Sequence, residues 1–418
     1  MIKKIHTRLK PHQVMVKNFA NLGLIQITNS LLNILLFPFI FRIVGVEEFG
    51  KVMVANSFAW LLPVIVTWGS GQSGVNDIAT SREHPLALSR HFKVIMQTRG
   101  LLFIVLLAMM LGWYGLQGAN AYYFLLAMPI VLGEVINPLF YFVGKEDTSN
   151  YNMFNVGSKL LTLGLIVLCI KHSDQGAWVN FLMGMTNVLL YSFLVIREYY
   201  LKRIVSVSIS WDHCIDFFKT NSFLVGNNMT VYLQQSIFLF GISATGQAAV
   251  LGAYSLCDKL IWTFRTIMVA LFNAVYPKGA VLYEQNPEYW YQFKRKINRL
   301  MSGLFLVWAG GQYLLADTVI YLVAGKTNEL ATHYLQWMSL VPLLIALNMM
   351  NVLELLLERK NKVIFLIGLG ILSFAALTSL VLLKIDYQWY GVFPFFVESM
   401  SLILYLQYLN RHKIDATS

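Results

Sequence analysis

Charged residues are scarce in this chain of 418 residues, where only 13% are Asp, Glu, Lys or Arg and 57% are hydrophobic. Residues 18–41, 52–76 and 363–383 contain no charged residue at all. A helix at the surface of a soluble protein has a polar and an apolar face, and these segments do not show that pattern. Together with a mean hydropathy of +0.59, the lack of charge argues against a soluble globular protein and indicates lipid as the solvent.

Cysteines and catalytic motifs are also few or missing. The three cysteines, Cys169, Cys214 and Cys257, are too far apart in sequence to predict a disulfide framework or a metal motif. There is no GxxxxGKS phosphate-binding loop, which excludes nucleotide hydrolysis by that route. There is no HExxH motif, and the eight histidines are scattered. We therefore predict no metal, no organic cofactor and no enzymatic activity.

The chain contains instead twelve long apolar stretches. Most run to the roughly 20 residues that cross a hydrocarbon layer of ~30 Å as a helix. They lie at about 19–41, 52–71, 94–113, 122–143, 153–170, 177–197, 220–242, 250–275, 300–322, 333–356, 363–383 and 388–409. The sequence predicts an all-α membrane protein with 12 transmembrane helices.

The basic residues predict the orientation of these helices. Of the 32 Lys and Arg residues, twenty-five lie at the two termini or in every second gap between the stretches, and five lie in the other gaps. Because cytoplasmic loops carry the excess of Lys and Arg, both termini are predicted to be cytoplasmic. The net charge of +11 then reflects topology and attraction to anionic membrane lipids, and we predict no nucleic-acid partner.

The number of stretches predicts two halves. Six precede the basic segment 197–219 and six follow it, so both halves start on the same side of the membrane and are expected to be parallel pseudo-repeats. We predict an N-terminal six-helix lobe over 1–205 and a C-terminal six-helix lobe over 206–418, around a central cavity. Weak echoes 213–214 residues apart support the repeat: Pro129 with Pro342, Asn137 with Asn351, and Lys145 with Arg359. Chance alignment between apolar segments is the alternative explanation.

The eighth stretch carries the densest set of ionisable residues. Such a residue costs about 2.5–3.5 kcal/mol within a membrane span and therefore indicates function. Asp258 and Arg265 are two helical turns apart and share one face with Tyr254 and Trp262, while Lys259 lies off that stripe. We interpret the face as a cationic and aromatic wall for an anionic, sugar-bearing ligand. A structural ion pair with another helix is the alternative.

Carboxylates also occur within two other stretches. Glu134 shares a predicted helix face with Asn137 and Tyr141 in the fourth, beside Pro138, where we expect a kink. Glu398 lies in the twelfth. These carboxylates are candidates for function by the same cost argument.

Two amides extend the predicted polar lining, namely Asn29 in the first stretch and Gln234 in the seventh. Amides in a helical bundle often only hold helices together, and for each one alone that alternative is the better explanation. Taken together, the polar residues exceed what helix association requires, so we predict that they line the central cavity.

Three further charged residues lie within or next to the stretches. Arg99 and Lys159 are predicted to extend their side chains to the inner membrane surface, and contact with a phosphate there is the alternative. Glu354, near the end of the tenth stretch, is predicted to pair with a basic residue that follows it, either Arg359 or Lys360.

Three segments resemble one family of membrane proteins. KNFANLGLIQITNSLLNILLFPFIFRIVGVEEFG (17–50) resembles the start of Wzx-type O-antigen and polysaccharide flippases, in the polysaccharide-transporter branch of the multidrug/oligosaccharidyl-lipid/polysaccharide flippase superfamily. AAVLGAYSLCDKL (248–260) resembles the segment leading into its eighth span, and PLFYFVGKED (138–147) the end of its fourth. With twelve spans in two halves, the resemblance covers essentially the whole chain.

The resemblance implies a flippase in the bacterial inner membrane that moves undecaprenyl-diphosphate-linked oligosaccharide by alternating access. Lys259 and Arg265 would then bind the diphosphate or acidic sugars, because Lys offers a point charge and Arg a bidentate fork. The sugars would contact Tyr254, Trp262, Asn29 and Gln234. Coupling to H⁺ or Na⁺ would fall to Asp258, Glu134 and Glu398.

The implied partners are the lipid-linked oligosaccharide, membrane lipids, and the polysaccharide polymerase with its chain-length machinery. One alternative is a multidrug or cation antiporter of the same superfamily, which the cations Lys259 and Arg265 disfavour. Another is a membrane polymerase or ligase of surface polysaccharide, which needs a large outer loop that this sequence lacks.

Overall fold

The computed structural model describes residue 23, residue 28 and residues 35–415. Over these residues all regular secondary structure is helical, and turns and bends connect the helices. The all-α prediction is therefore confirmed. The α-helices are α1 (Leu35–Val44), α2 (Val46–Thr67), α3 (Ser73–Thr80), α4 (Pro85–Gln117), α5 (Ala119–Ile136), α6 (Leu139–Gly144), α7 (Thr148–Cys169), α8 (Trp178–Tyr200), α9 (Trp211–Ala244), α10 (Ala248–Gln285), α11 (Pro287–Leu314), α12 (Ala316–Ala324), α13 (Glu329–Trp337), α14 (Val341–Leu357), α15 (Asn361–Leu382) and α16 (Phe393–Asp415). Short 3₁₀ turns occupy Ser173–Gln175, Met338–Leu340 and Tyr387–Val392.

Eight helical segments in the described part of the chain are long and apolar enough to cross a membrane, which makes this a multi-pass membrane protein. A ninth is counted if Glu288–Leu314 and Ala316–Ala324, bent by 70° relative to each other, form one span. The eight are Val46–Thr67, Pro85–Gln117, Ala121–Gly144, Thr148–Cys169, Trp178–Tyr200, Glu329–Leu357, Asn361–Leu382 and Tyr387–Arg411. The predicted total of twelve stays a prediction, since most of the first stretch lies outside the described residues.

Contacts divide the described residues into two compact units. Unit 1 comprises 55–229 with residues 23 and 28, and unit 2 comprises 35–54 and 230–415. The lobe boundary near residue 205 stays a prediction.

Unit 1 is held together by a close approach of α5 and α8. A Cβ added to Gly184 on α8 would lie 2.3 Å from the backbone nitrogen of Ile130 on α5. Only glycine lets the two backbones come this near, which is a common way for membrane helices to gain packing contacts. Apolar side chains of α5, including Val131, fill the interior next to this crossing.

In unit 2 a glycine likewise lets the start of α2 approach α10 closely. Aromatic side chains fill the core of this unit. A Cβ on Gly252 would lie 1.8 Å from the carbonyl oxygen of Val46. Trp290 at the start of α11 is fully buried and packs with Met350 and Leu353 of α14. This contact fixes the first turns of α11 against the end of α14.

The fourth predicted span is broken by Pro138. The residue before a proline is restricted to extended conformations, and Asn137 has φ −55° and ψ 109°. Pro138 also lacks a backbone N–H for the helix ladder. α5 therefore ends at Ile136 and α6 begins at Leu139, so the structure has a break in the helix where we expected a kink.

Three helix ends share one pattern of hydrogen bonds, those after α6, α8 and α14, and the first and last lie 213 residues apart. After α6, the N–H of Glu146 donates to Val143 and that of Asp147 to Phe142, both at 3.0 Å. Residues 213 positions later do the same after α14, where the N–H groups of Arg359 and Lys360 donate at 3.0 and 2.9 Å. Their acceptors are the carbonyls of Leu356 and Leu355.

The turns after α6 and α14 are Schellman caps, in which the residue after the helix takes a left-handed conformation. That residue is Glu146 with φ 58° in the first turn and Arg359 with φ 57° in the second. The spacing of 213 residues equals the offset between Pro129 and Pro342 and is one residue less than that of the other two sequence echoes. The internal repeat stays a prediction.

Candidate functional site

The central feature of unit 2 is an ion pair between α10 and α16. Nη1 of Arg265 lies 2.8 Å from Oε1 of Glu398, and the two side chains are 21% and 12% exposed. Sequence reasoning assigned Arg265 to the ligand and Glu398 to ion coupling, and the structure brings these two residues together. At this length the contact is a charge-assisted hydrogen bond.

Asp258 and Lys259 complete the group of charges on α10. Asp258 interacts electrostatically with Lys259 and, to a smaller extent, with Arg265. The Lys259 Nζ lies 5.7 Å from the ring centroid of Phe37, within the range of a cation–π contact. We call Asp258, Lys259, Arg265 and Glu398 the unit 2 charge cluster. Its two cations and two carboxylates cancel in formal charge.

The predicted sugar-contacting residues differ in their placement. Tyr254 is only 2% exposed and stacks edge-on against Phe238 at 5.3 Å, inside the aromatic core of unit 2. Trp262 and Gln234 are partly exposed, and the Gln234 Oε1 has no hydrogen-bond partner in the described part of the chain. Asn29 lies outside the described residues. The assignment of these four residues to a ligand stays a prediction.

Arg99 of unit 1 is buried, so its predicted extension to the membrane surface is wrong. Its Nη1 donates to the carbonyl oxygens of Glu134 at 3.1 Å and Asn137 at 2.9 Å. Its Nε and Nη2 both donate to the Ser70 Oγ, at 2.9 and 2.7 Å. The end of a helix leaves carbonyl groups without partners. Arg99 satisfies those created by the break at Pro138, which is a structural role.

Lys159 also turns inward, so the second predicted extension to the surface is wrong too. Its Nζ lies 3.5 Å from the Oδ1 of Asn187 on α8 and interacts electrostatically with Glu134 on α5. Glu134 in turn accepts a hydrogen bond from the Nδ2 of Asn137 at 3.0 Å. Within the membrane an interior partner replaces the water that an extended lysine would reach, which explains the inward direction.

A network of hydrogen-bonded neutral side chains lies around Lys159 and Glu134 in unit 1. The sequence analysis did not predict this network. The hydroxyls of Tyr151 and Tyr191 lie 3.1 Å apart, and Tyr191 donates to Asn155 Oδ1 at 3.0 Å. Further bonds join Ser158 to Asn187 at 3.0 Å, Thr162 to Thr186 at 2.5 Å, and Asn56 to Asn180 at 3.0 Å. The available signal was the spacing of three or four residues between the polar positions of α7, which places them on one helix face.

Tyr141 does not share a face with Glu134, because the break at Pro138 places it on the separate helix α6. Its hydroxyl donates to Glu198 Oε2 at 3.2 Å, and Arg203 pairs with Glu198 Oε1 at 3.2 Å. Lys145, just beyond α6, donates to the Tyr141 hydroxyl at 3.0 Å. Burial lowers the pKa of Lys145 below its ordinary value, while the charge of Glu198 opposes that shift.

Glu354 pairs with Lys294 of α11, and neither predicted partner meets it. Glu354 is fully buried, and one of its oxygens, Oε1, has no hydrogen-bond partner among the described residues. Lys360 pairs instead with Glu358 at 2.8 Å. The prediction was wrong because it considered only neighbours in sequence, whereas the left-handed turn at Arg359 ends the helix and α11 packs directly on α14.

In the described part of the chain, no group of three or more His, Cys, Asp or Glu residues is placed so that it could hold a metal ion. Among the described residues, the polar interior includes the unit 2 charge cluster, the Lys294–Glu354 pair, and the network around Glu134 and Lys159.

Solved structures with the same fold are transporters. One is a multidrug resistance MATE family transporter of the MOP superfamily in an inward-facing conformation, with a TM-score of 0.72, 12% identity, and coverage of 94% of this chain and 98% of that one. A MATE protein in the bent conformation gives a TM-score of 0.63 at 14% identity, covering 97% and 96%. At these identities the likeness concerns the fold.

Sequence relatives point to a more specific group. A protein of Escherichia coli (strain K12) named "Putative O-antigen transporter" is 20% identical over 386 residues, covering 85% of this chain and 88% of that protein. A protein of Shigella dysenteriae with the same name is 22% identical over 350 residues, covering 80% and 84%. The model of the family described as polysaccharide biosynthesis protein matches residues 15–279. Because that match spans more than half of the chain, the protein belongs to the polysaccharide biosynthesis protein family, and the resemblance drawn from its sequence is confirmed.

Proposed function

We propose that this protein is a flippase that moves undecaprenyl-diphosphate-linked oligosaccharide across the bacterial inner membrane. The observation that carries the proposal is Arg265 on the 38-residue helix α10, which is partly exposed and forms an ion pair with Glu398 of α16. A cation in a membrane span needs an anion, and the guanidinium suits a diphosphate because its fork can bind two oxygens at once. The names of the sequence relatives support an O-antigen repeat unit as cargo.

The proposed architecture has twelve transmembrane helices in two six-helix lobes, 1–205 and 206–418, with both termini in the cytoplasm and a central cavity. The Lys and Arg distribution supports the orientation, and the matching turns at Glu146 and Arg359 support the repeat. Alternating access between the two membrane faces would move the head group, while the lipid tail stays in the bilayer.

Coupling to H⁺ or Na⁺ is part of the proposal, with Asp258, Glu134 and Glu398 as the carboxylates concerned. Glu134 faces Lys159 and a chain of hydroxyl and amide groups. Such a chain can rearrange its hydrogen bonds when the charge on one member changes. No other cofactor and no catalysis is proposed. The polysaccharide polymerase and its chain-length machinery are the expected partners.

A multidrug antiporter is less well supported. The described neighbours with that function share only the fold, at 12–14% identity, whereas the sequence relatives are named O-antigen transporters.

Deletion of the gene tests the function. We expect lipid-linked repeat units to accumulate on the cytoplasmic face and long surface glycan to disappear. Retention of full-length glycan, in a strain without a second flippase, would contradict the proposal.

Complementation then tests the assigned residue. The wild-type gene should restore surface glycan, whereas Arg265→Ala should be present in the membrane at normal abundance and restore less than one tenth of it. Arg411→Ala, which removes an exposed arginine at the end of α16, is the matched control and should restore it fully. Loss of Arg265→Ala protein from the membrane would instead indicate a purely structural arginine.

A further inference from the structure

The partner of Arg265 is itself an anion of this chain. Glu398 Oε1 lies 2.8 Å from Arg265 Nη1, so the group expected to receive a diphosphate already holds a carboxylate. Carboxylate and phosphate oxygens bind the guanidinium fork in the same planar geometry. The two anions therefore compete for the same donor.

The exposure of the pair separates it from the structural pair of unit 2. The side chains of Arg265 and Glu398 are 21% and 12% exposed, whereas those of Lys294 and Glu354 are 12% and 1% exposed. An incoming anion can approach Arg265, and the displaced Glu398 can move into accessible space. Glu354 is enclosed by protein, so separating it from Lys294 would cost more free energy than separating Glu398 from Arg265.

The charge balance of the cluster points the same way. With Glu398 on Arg265 and Asp258 near Lys259, the four formal charges cancel. An arginine without an anion in a membrane span is unfavourable. The ion pair therefore keeps the empty protein neutral in this region while it changes conformation.

We propose that Glu398 is an internal stand-in for the anionic head group: it occupies Arg265 when no ligand is bound, and a diphosphate must displace it. The inference rests on the proposed function and adds a regulation of that site. Two consequences follow. Glu398 weakens ligand binding, because only the fraction of molecules with an open pair can bind. It also speeds the return of the empty protein, because the closed pair carries no net charge.

The test is a binding measurement on the purified full chain in lipid nanodiscs. The probes are inorganic pyrophosphate and a short isoprenyl diphosphate, each titrated by calorimetry. If the pair is closed in about 90% of empty molecules, Glu398→Gln should tighten binding about tenfold. Arg265→Gln should abolish binding, alone and combined with Glu398→Gln. A gain with both probes indicates recognition of the diphosphate itself, and a gain with the isoprenyl probe alone indicates the lipid-linked form.

Glu358→Gln is the matched control. It removes a carboxylate of unit 2 that also forms a 2.8 Å ion pair, with Lys360 at the end of α14, and it should leave binding unchanged. In cells, Glu398→Gln should lower the rate of glycan export in spite of the tighter binding. A purely structural pair gives no such opposite change in affinity and turnover.

Unchanged or weaker probe binding by well-folded Glu398→Gln protein would overturn the inference. If that variant fails to fold, Glu398→Asp keeps the charge on a shorter side chain, and it should bind between wild type and the expected tenfold gain. Binding no tighter than wild type would then count against the inference. Failure of the proposed flippase function can be distinguished from failure of this inference. In that case the deletion strain would keep its surface glycan, whatever the effect of Glu398→Gln on probe binding. Wild-type protein that binds neither probe would overturn both.

Discussion

Arg99 of unit 1 and Arg265 of unit 2 are both largely withdrawn from solvent, but they have different partners. Arg99 donates to the backbone carbonyls of Glu134 and Asn137 and to the Ser70 hydroxyl. Arg265 binds the carboxylate of Glu398. A carboxylate partner can be exchanged for another anion, whereas a backbone carbonyl belongs to the fold. The difference supports the proposed exchange of anions at Arg265 and gives Arg99 the role of a structural clamp.

The largest effect is expected at the buried pair of unit 2. Lys294→Met leaves Glu354 as an uncompensated buried charge, which costs about 3–5 kcal/mol. We expect strongly reduced abundance in the membrane and a lower midpoint of thermal unfolding. Lys294→Met combined with Glu354→Leu removes both charges and should recover most of the loss. If the double variant stays as unstable as the single one, Glu354 does more than balance Lys294.

A somewhat smaller loss of stability is expected when Arg99 is replaced, and a second substitution should not restore it. Arg99→Met removes hydrogen bonds to the carbonyls of Glu134 and Asn137, and buried groups left without a partner cost about 1–3 kcal/mol each. Because the partners are backbone groups, no second substitution can restore the loss. Thermal unfolding of the variant in detergent measures the cost.

Arg99→Lys is the control for this clamp, since it keeps the charge but not the fork, and it should recover part of the stability. A stable, abundant Arg99→Met protein that fails only in export would move Arg99 from the structural group to the ligand-binding group.

The smallest effect tests whether the repeated turns are equivalent. A left-handed conformation costs a non-glycine residue roughly 1–2 kcal/mol. Glu146→Gly and Arg359→Gly should therefore each stabilise the protein, by about 1 kcal/mol, seen as a higher unfolding midpoint. Lys360→Gly is the control and should not stabilise, because Lys360 has φ −84°. Glu146→Gly also removes the ion pair with Arg82 at 3.2 Å, so its gain should be the smaller of the two. No gain at Arg359→Gly would contradict the left-handed strain.

Much of the fold could be predicted because its signals are local. The apolar stretches predicted helices, and the described helices α2, α4, α7, α8, α14 and α15 overlap the predicted positions. Pro138 predicted a kink through its missing N–H and the restriction it imposes on Asn137. The repeat predicted from the offset of 213–214 residues stays a prediction, which the similar turns at Glu146 and Arg359 support.

The candidate site was predicted only as a set of residues. Arg265 and Glu398 were both recognised by the cost of a charge in a membrane span, but not as partners. Glu354 was assigned to the nearest basic residues, and Arg99 and Lys159 to the membrane surface. Each error came from treating a charged side chain as if its own helix determined its partner.

The sequence alone determined that the chain is helical and crosses a membrane repeatedly, because the bilayer requires every backbone polar group to be satisfied within its own helix. That requirement depends on local apolar length and can be read residue by residue. Tertiary structure alone decided which charge meets which: Arg265 with Glu398, Lys294 with Glu354, and Arg99 with the carbonyls at the end of α5. These contacts join different helices, and their energies depend on burial and distance, which exist only once the helices have packed.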